Sequence, residues 1–272
     1  MPLRCVMVCE SEADFRTART LVERTLSHQV TWADADLLAS CPLWSRLVED
    51  REYLTWIQDV PRLAKELGVR HLGHLRDEAN QSSSPAFSDA KAAVKALNVV
   101  RRLLDEQRPS EPVVVFLIRD LDNDRERERG LDQARKHVAA KARDFADIVI
   151  GVANTKRECW VLAALDCATD TRAETHAAFH RQLGFDPLEE SERLTSRSAG
   201  DLQNVKHLLS ELLGANSSPE RVEHELSALK TAPLETLSRR GKGNGLAAFL
   251  GEVESRVVPL LQAQRGPRQN RG

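Results

Sequence analysis

The sequence predicts an α/β protein: a parallel sheet flanked by helices, with a helical insertion and a helical C-terminal region. Three observations lead there. Apolar runs of strand character stand at 3–9, 113–118 and 148–152. Helical periodicity separates them, the alternation that builds a parallel sheet through crossover connections. After residue 152 only helical periodicity remains.

Leu3 to Cys9 reads as the first strand. A helix is expected from about Asp14 to His28, with Phe15, Ala18, Leu21, Val22, Thr25 and Leu26 at a 3.6-residue rhythm. A short second strand is expected at Gln29 to Trp32. From Asp34 to Gly68 the apolar marks Leu43, Trp44, Leu47, Val48, Leu54, Ile57 and Leu63 read as helical, an insertion bounded at about 34–80. Asn80 to Pro85 is the clearest loop. Pro85 suits the start of a helix that runs to about Gln107. Val113 to Ile118 is a continuous run of β-branched and aromatic residues, as expected where both faces of a strand are covered. A helix from Leu131 to Phe145 leads into the strand Ile148 to Val152. Further helices are expected at about Thr155–Leu165, Ala173–Leu183, Asp201–Leu213, Pro219–Leu229 and Gly245–Leu261. The α/β unit therefore spans 1–165 and the helical region 166–264, and 265–272 reads as a disordered basic tail.

At 272 residues, with 41% hydrophobic and 29% charged residues, the chain has the composition of an ordinary globular protein. A net charge of −2 and an aromatic content of 4% argue against a basic nucleic-acid coat and against a base-stacking platform. No stretch approaches the ~18 apolar residues of a spanning helix, so no membrane association is expected. The short apolar N-terminus runs at once into Glu10, Glu12 and Asp14, unlike a signal peptide. Cys5, Cys9, Cys41, Cys159 and Cys167 are odd in number and form no C-x-x-C; they read as free, mostly buried thiols of a reducing cytoplasm.

Ligands of an open parallel sheet bind beyond the carboxyl ends of its strands. Two strands here end in acids: Glu10, followed by Glu12 and Asp14, and Asp120 with Asp122, followed by Asp124. Residues two apart on an extended segment share a face, so Asp120 and Asp122 are expected to point into one volume. Carboxylates gathered in one cleft repel one another unless a cation neutralises them, and hard oxygen donors select Mg²⁺ or Mn²⁺. The competing explanation is that acids end strands because turns are polar. An EF-hand loop from Asp120 fails, because Arg125 and Leu131 occupy its sixth and twelfth places. A D-x-D-x-T phosphatase motif fails at Asp124. A nucleotide-sugar transferase with a D-x-D after a buried strand stays open.

Glu10 after the first strand and Asp120/Asp122 after a later one resemble the Toprim superfamily of topoisomerases, primases and metal-dependent nucleases. Glu10-Ser11-Glu12-Ala13-Asp14 is similar to the E-G-x-x-E of the overcoming-lysogenization-defect nucleases, with Ser11 for the glycine and Asp14 for the second acid. Glu158-Cys159-Trp160 is similar to the E-x-W of uncharacterised bacterial Toprim-like proteins. The resemblance covers about residues 3–165. It implies Mg²⁺- or Mn²⁺-dependent hydrolysis of nucleic acid, with Glu10, Asp120, Asp122 and Glu158 catalytic and Glu10, Asp14, Asp120, Asp122 and Asp124 as metal ligands. A topoisomerase would need a strand-attacking tyrosine, and the single one, Tyr53, falls in the insertion. The resemblance also implies an ATPase or sensor partner of the kind that controls nucleases of bacterial phage defence. The alternative is a Toprim-like binding or regulatory subunit without catalysis.

The remaining signals are weaker. His176 and His180 share a helix face without a clear third ligand, and His71 and His74 flank Gly73. Trp32, Trp44, Trp56 and Trp160 read as packing residues. Arg239-Arg240-Gly241-Lys242-Gly243-Asn244-Gly245 precedes a helix and matches no phosphate-binding motif, so it reads either as a flexible entry loop or, through Arg239, Arg240 and Lys242, as a contact to a nucleic-acid backbone. Any such grip would be weak and salt-sensitive, even with Arg265, Arg268 and Arg271 of the tail.

Overall fold

The computed structural model describes residues 2–32, 42–48, 51–69, 87–142, 145–168, 170–214 and 219–263. The fold is α/β: a five-stranded, wholly parallel sheet with helices on both faces and a helical C-terminal region. Strand β1 (Leu3–Cys9) lies next to β4 (Val113–Asp120), and β4 next to β5 (Asp147–Ala153). Along its other side β1 pairs first with β2 (Pro42–Trp44) at Leu3–Cys5 and then with β3 (Leu54–Thr55) at Val8 and Cys9.

Period-two alternation sends neighbouring side chains into two cores. Leu3, Cys5, Met7 and Cys9 of β1, with Val114, Phe116 and Ile118 of β4, face a core shared with α1 (Glu12–Gln29), α5 (Arg157–Ala164) and the C-terminal helices. Those helices are α6 (Asp170–Leu183), α7 (Val205–Leu213), α8 (Pro219–Thr231), α9 (Leu234–Arg240), α10 (Leu246–Arg256) and α11 (Val258–Ala263). Val6, Val8, Val115, Leu117, Ile148 and Ile150 face the other way, under α2 (Asp59–Glu66), α3 (Ala90–Gln107) and α4 (Glu126–Lys141). The residues beyond 166 thus complete a core that begins at Leu3.

Several sequence expectations need correction. No strand forms at 29–32: α1 continues to Gln29, and the Val30 N–H closes it on the Leu26 carbonyl. Where described, the insertion is not a run of helix but β2, β3 and the short α2, because the exposed side of β1 takes up any extended segment that can pair with it. Helix α4 begins at Glu126 rather than Leu131, since Asp124 Oδ1 accepts the Glu126 N–H (3.0 Å) and turns the chain early. Cys167 is half-buried in the loop after α5, while Cys5, Cys9 and Cys159 are free and buried. Cys41, His71, His74, the Asn80–Pro85 loop and the 265–272 tail lie outside the described residues. No described helix is long and apolar enough to cross a membrane.

Candidate active site: a carboxylate cluster at the strand ends

The parallel sheet brings the carboxyl ends of β1, β4 and β5 side by side, and the residues just beyond them meet. Glu10 follows β1. Ser11 caps α1, its hydroxyl accepting the Asp14 N–H (3.4 Å) and donating to Asp14 Oδ2 (2.7 Å). That cap turns Asp14 inward, where it is buried. Asp120 ends β4 and accepts the Arg157 backbone N–H (2.8 Å) from the start of α5, which places buried Glu158 alongside.

These four acids are close enough to act on one another's charge. Burial, then the charges of Asp14, Glu10 and Glu158, push Asp120 up to about 8, against the pull of the Arg157 N–H. Burial raises Glu10 as well, with Asp14 and Asp122 adding to it, offset in part by Arg119 and the Asp120 N–H. Asp14 is raised by burial and by Glu158, offset by Ser11 and Arg157. Glu10 Oε1 is buried without an aligned hydrogen bond, although Arg119 Nη1 stands 3.1 Å away. Burial and like charges that raise several carboxyl groups together make them candidates for a functional site.

A ring of cations surrounds the cluster, and the sequence reading missed it. Arg119 also pairs with Asp89 (2.9 Å) and lies over the Trp56 ring. Arg157 reaches Glu225 (2.7 Å), Glu158 (3.6 Å) and Asp14 (3.9 Å). Lys206 Nζ stands 3.8 Å from Glu158 Oε1. Lys156 and Arg157, directly before Glu158, were visible in the sequence as a basic pair at a strand end; Arg119 was visible directly before Asp120.

The expectation that Asp120 and Asp122 share a face does not hold. The extended segment stops at Asp120, and Asp122 and Asn123 adopt left-handed φ values of 49° and 68°. Asp and Asn tolerate that region better than other non-glycine residues. Asp122 is thereby turned to Lys156 (3.1 Å) and Arg127 (3.0 Å), which hold its carboxyl below the ordinary range in spite of burial. Asp124 serves the turn into α4 through the Glu126 N–H.

The basic stretch expected to contact nucleic acid is built into the fold. Arg239 and Arg240 both pair with Glu189, and Arg240 also reaches the Leu165 carbonyl (2.9 Å). Their partner lies some fifty residues upstream, beyond any spacing rule. Asn244 is fully buried, its amide donating to the Cys159 carbonyl (3.1 Å) and Ser191 Oγ (2.9 Å) and its Oδ1 accepting the Leu246 N–H (3.0 Å). Gly245, at φ 87°, lies so close to Val152 that a Cβ there would stand 2.0 Å from the Val152 carbonyl oxygen. The loop is a packed latch, and Lys242 lines a separate groove along β5.

His176 bonds Asp186 (2.9 Å), with His180 beside it at 6.2 Å between ring centroids. Trp44, Trp56 and Trp160 are buried packing residues, as expected, and each indole N–H finds an acceptor; Trp32 is partly buried against the core. Tyr53 stacks on Phe15 (5.2 Å).

Glu10, Asp14, Asp120 and Glu158 supply the hard oxygen donors that Mg²⁺ or Mn²⁺ prefers, including one buried carboxylate oxygen without a hydrogen bond. Among the described residues no group of three or more His, Cys, Asp or Glu side chains is already set around a metal-sized point. Fold and site together define an α/β protein with an acidic cluster at the carboxyl ends of its central parallel strands. Compared with protein-family models, curated proteins and solved structures, the chain matches none.

Proposed function

We propose that the protein is a divalent-metal-dependent phosphodiesterase acting on nucleic acid, with Glu10, Asp14, Asp120 and Glu158 as the oxygen donors for Mg²⁺ or Mn²⁺. The observation that carries this is a set of four mutually repelling acids from three chain segments, gathered at the end of a parallel sheet where ligands bind. The Toprim resemblance of Glu10, Asp120 and Glu158 agrees with it. A divalent cation at such a cluster supplies Lewis-acid polarisation of the phosphoryl oxygen and of water. In the overall hydrolysis a water oxygen bonds to phosphorus, the phosphorus–oxygen ester bond breaks, and the departing oxygen takes a proton. The chain's own contribution is positional. The Arg157 N–H orients Asp120, Ser11 orients Asp14, and Arg119 faces Glu10. Asp122 and Asp124 act from outside the cluster: Asp122 anchors Lys156 and Arg127, and Asp124 shapes the loop.

A second reading has one observation in its favour. Arg119, Arg157 and Lys206 already offer positive charge to Glu10, Asp14 and Glu158, as a salt-bridged support in a non-catalytic binding subunit would. Plasmid and single-strand cleavage in Mn²⁺ separates the two. Wild type is expected to cut, and Asp120→Asn to lose roughly a hundredfold or more in rate, since several kcal/mol of transition-state stabilisation disappear with a ligand. Equal cutting by both, or none by wild type, contradicts the hydrolase.

A further inference from the structure

Beside the cluster, where α7 and α8 approach α5, a cleft of about 650 Å³ opens to solvent. Arg157 and Glu158 belong both to its wall and to the carboxylate cluster, so the cleft and the cluster adjoin. Its Arg and Lys side chains are Arg157, Arg197, Lys206 and Arg221; its acids are Glu158, Glu211 and Glu225. Buried Glu225 holds two of those cations, Arg157 (2.7 Å) and Arg221 (3.0 Å).

The other two are placed differently. Arg197 is exposed and donates to the backbone carbonyl of Asp122 (2.5 Å), which fixes it over the loop after β4 without neutralising it. The Lys206 side chain is 60% exposed, and its 3.8 Å approach to Glu158 is too long for a hydrogen bond. Its backbone N–H is already taken by the Asn204 cap, so the ammonium is the group it offers to a ligand. Both cations line the cleft, one over the loop after β4 and the other beside Glu158.

We propose that this cleft is the substrate-strand subsite: Arg197 and Lys206 take the phosphates that flank the scissile one in a single-stranded nucleic acid. This rests on the phosphodiesterase reading of the adjoining acids. A cleft of this volume suits a ligand of small-molecule size, such as a nucleotide or two of one strand. A duplex would instead present its phosphates across a major groove some 12 Å wide. The lining contains no Phe, Trp or Tyr, so binding is led by phosphate charge and tolerates any base sequence.

The test uses the full chain and a labelled oligothymidylate of eight residues, with binding measured in EDTA so that no metal and no cleavage enter. Wild type is expected to bind the single strand more tightly than a duplex of equal length. The double variant R197A/K206A is expected to lose at least tenfold in affinity, and the slope of log K against log salt to flatten by about 0.7 for each contact removed. Circular dichroism checks that this variant folds, and Lys206→Arg, which keeps the charge, is expected to retain most of the affinity. In Mn²⁺ the double variant is expected to raise KM more than it lowers kcat. Unchanged affinity in the folded double variant, or tighter binding of duplex by wild type, overturns the subsite. Normal binding in EDTA with no cleavage in Mn²⁺ overturns the hydrolase and leaves the subsite standing.

Discussion

Asp59 and Asp120 are both acids with little access to solvent, Asp59 opening the helix after β3 and Asp120 ending β4, yet the fold treats them in opposite ways. Asp59 accepts from the Thr55 N–H (2.8 Å) and hydroxyl (2.8 Å) and pairs with Arg51 (2.9 Å) and Arg62 (3.6 Å). Burial pushes it up, but those partners outweigh burial and hold it below the usual carboxylate range. Asp120 accepts the Arg157 N–H and faces Glu10, Asp14 and Glu158, which with burial drive it up to about 8. The difference separates a carboxylate that completes the structure from one that the structure leaves short of positive charge. A cation from outside the chain would supply what Asp120 lacks and would add nothing at Asp59.

Removing each acid should therefore move stability in opposite directions. Asp59→Ala leaves the buried Thr55 N–H and hydroxyl without their acceptor and is expected to cost roughly 1–3 kcal/mol in denaturant unfolding at pH 7. Asp120→Asn removes a repelled charge and is expected to raise the melting temperature slightly at pH 8 to 9. A loss of stability in Asp120→Asn comparable to that in Asp59→Ala would break the comparison.

Acidity sharpens it, because the two shifts have opposite signs. Asp59, depressed in the folded protein, contributes stability above the unfolded value of ~3.9 and loses it as pH falls through its folded value. Asp120, raised, contributes stability that is complete below ~3.9 and disappears as pH rises through about 8. Melting curves across pH should show the advantage of Asp120→Asn over wild type growing toward alkaline pH and vanishing near pH 4. The deficit of Asp59→Ala should instead shrink in acid. An advantage of Asp120→Asn independent of pH would assign it to packing rather than to charge.

Much of this site was legible in the sequence, for reasons that also explain what was not. Strands β1, β4 and β5 are continuous apolar runs, so the acids that follow them could be placed at one end of a parallel sheet. β2 and β3 span three and two residues and exist through their pairing with β1, which no local pattern encodes. Asp120 and Asp122 looked equivalent because spacing cannot foretell that Asp122 turns left-handed. Arg239 and Arg240 looked available because Glu189, their partner, lies far off in sequence. Arg197 and Lys206 carry no motif and come to the adjoining cleft through the folding of the C-terminal region onto the sheet.

The central claim is that the cluster around Asp120 is built to receive a divalent cation. Calorimetric titration of Mn²⁺ into wild type, Asp120→Asn and Asp59→Ala near pH 7.5 tests it most directly. Wild type and folded Asp59→Ala should bind with equal affinity and gain thermal stability as the ion is added, and Asp120→Asn should show neither effect. Absence of binding in wild type, or equal binding by Asp120→Asn, would contradict the account and leave the cluster as a salt-bridged support.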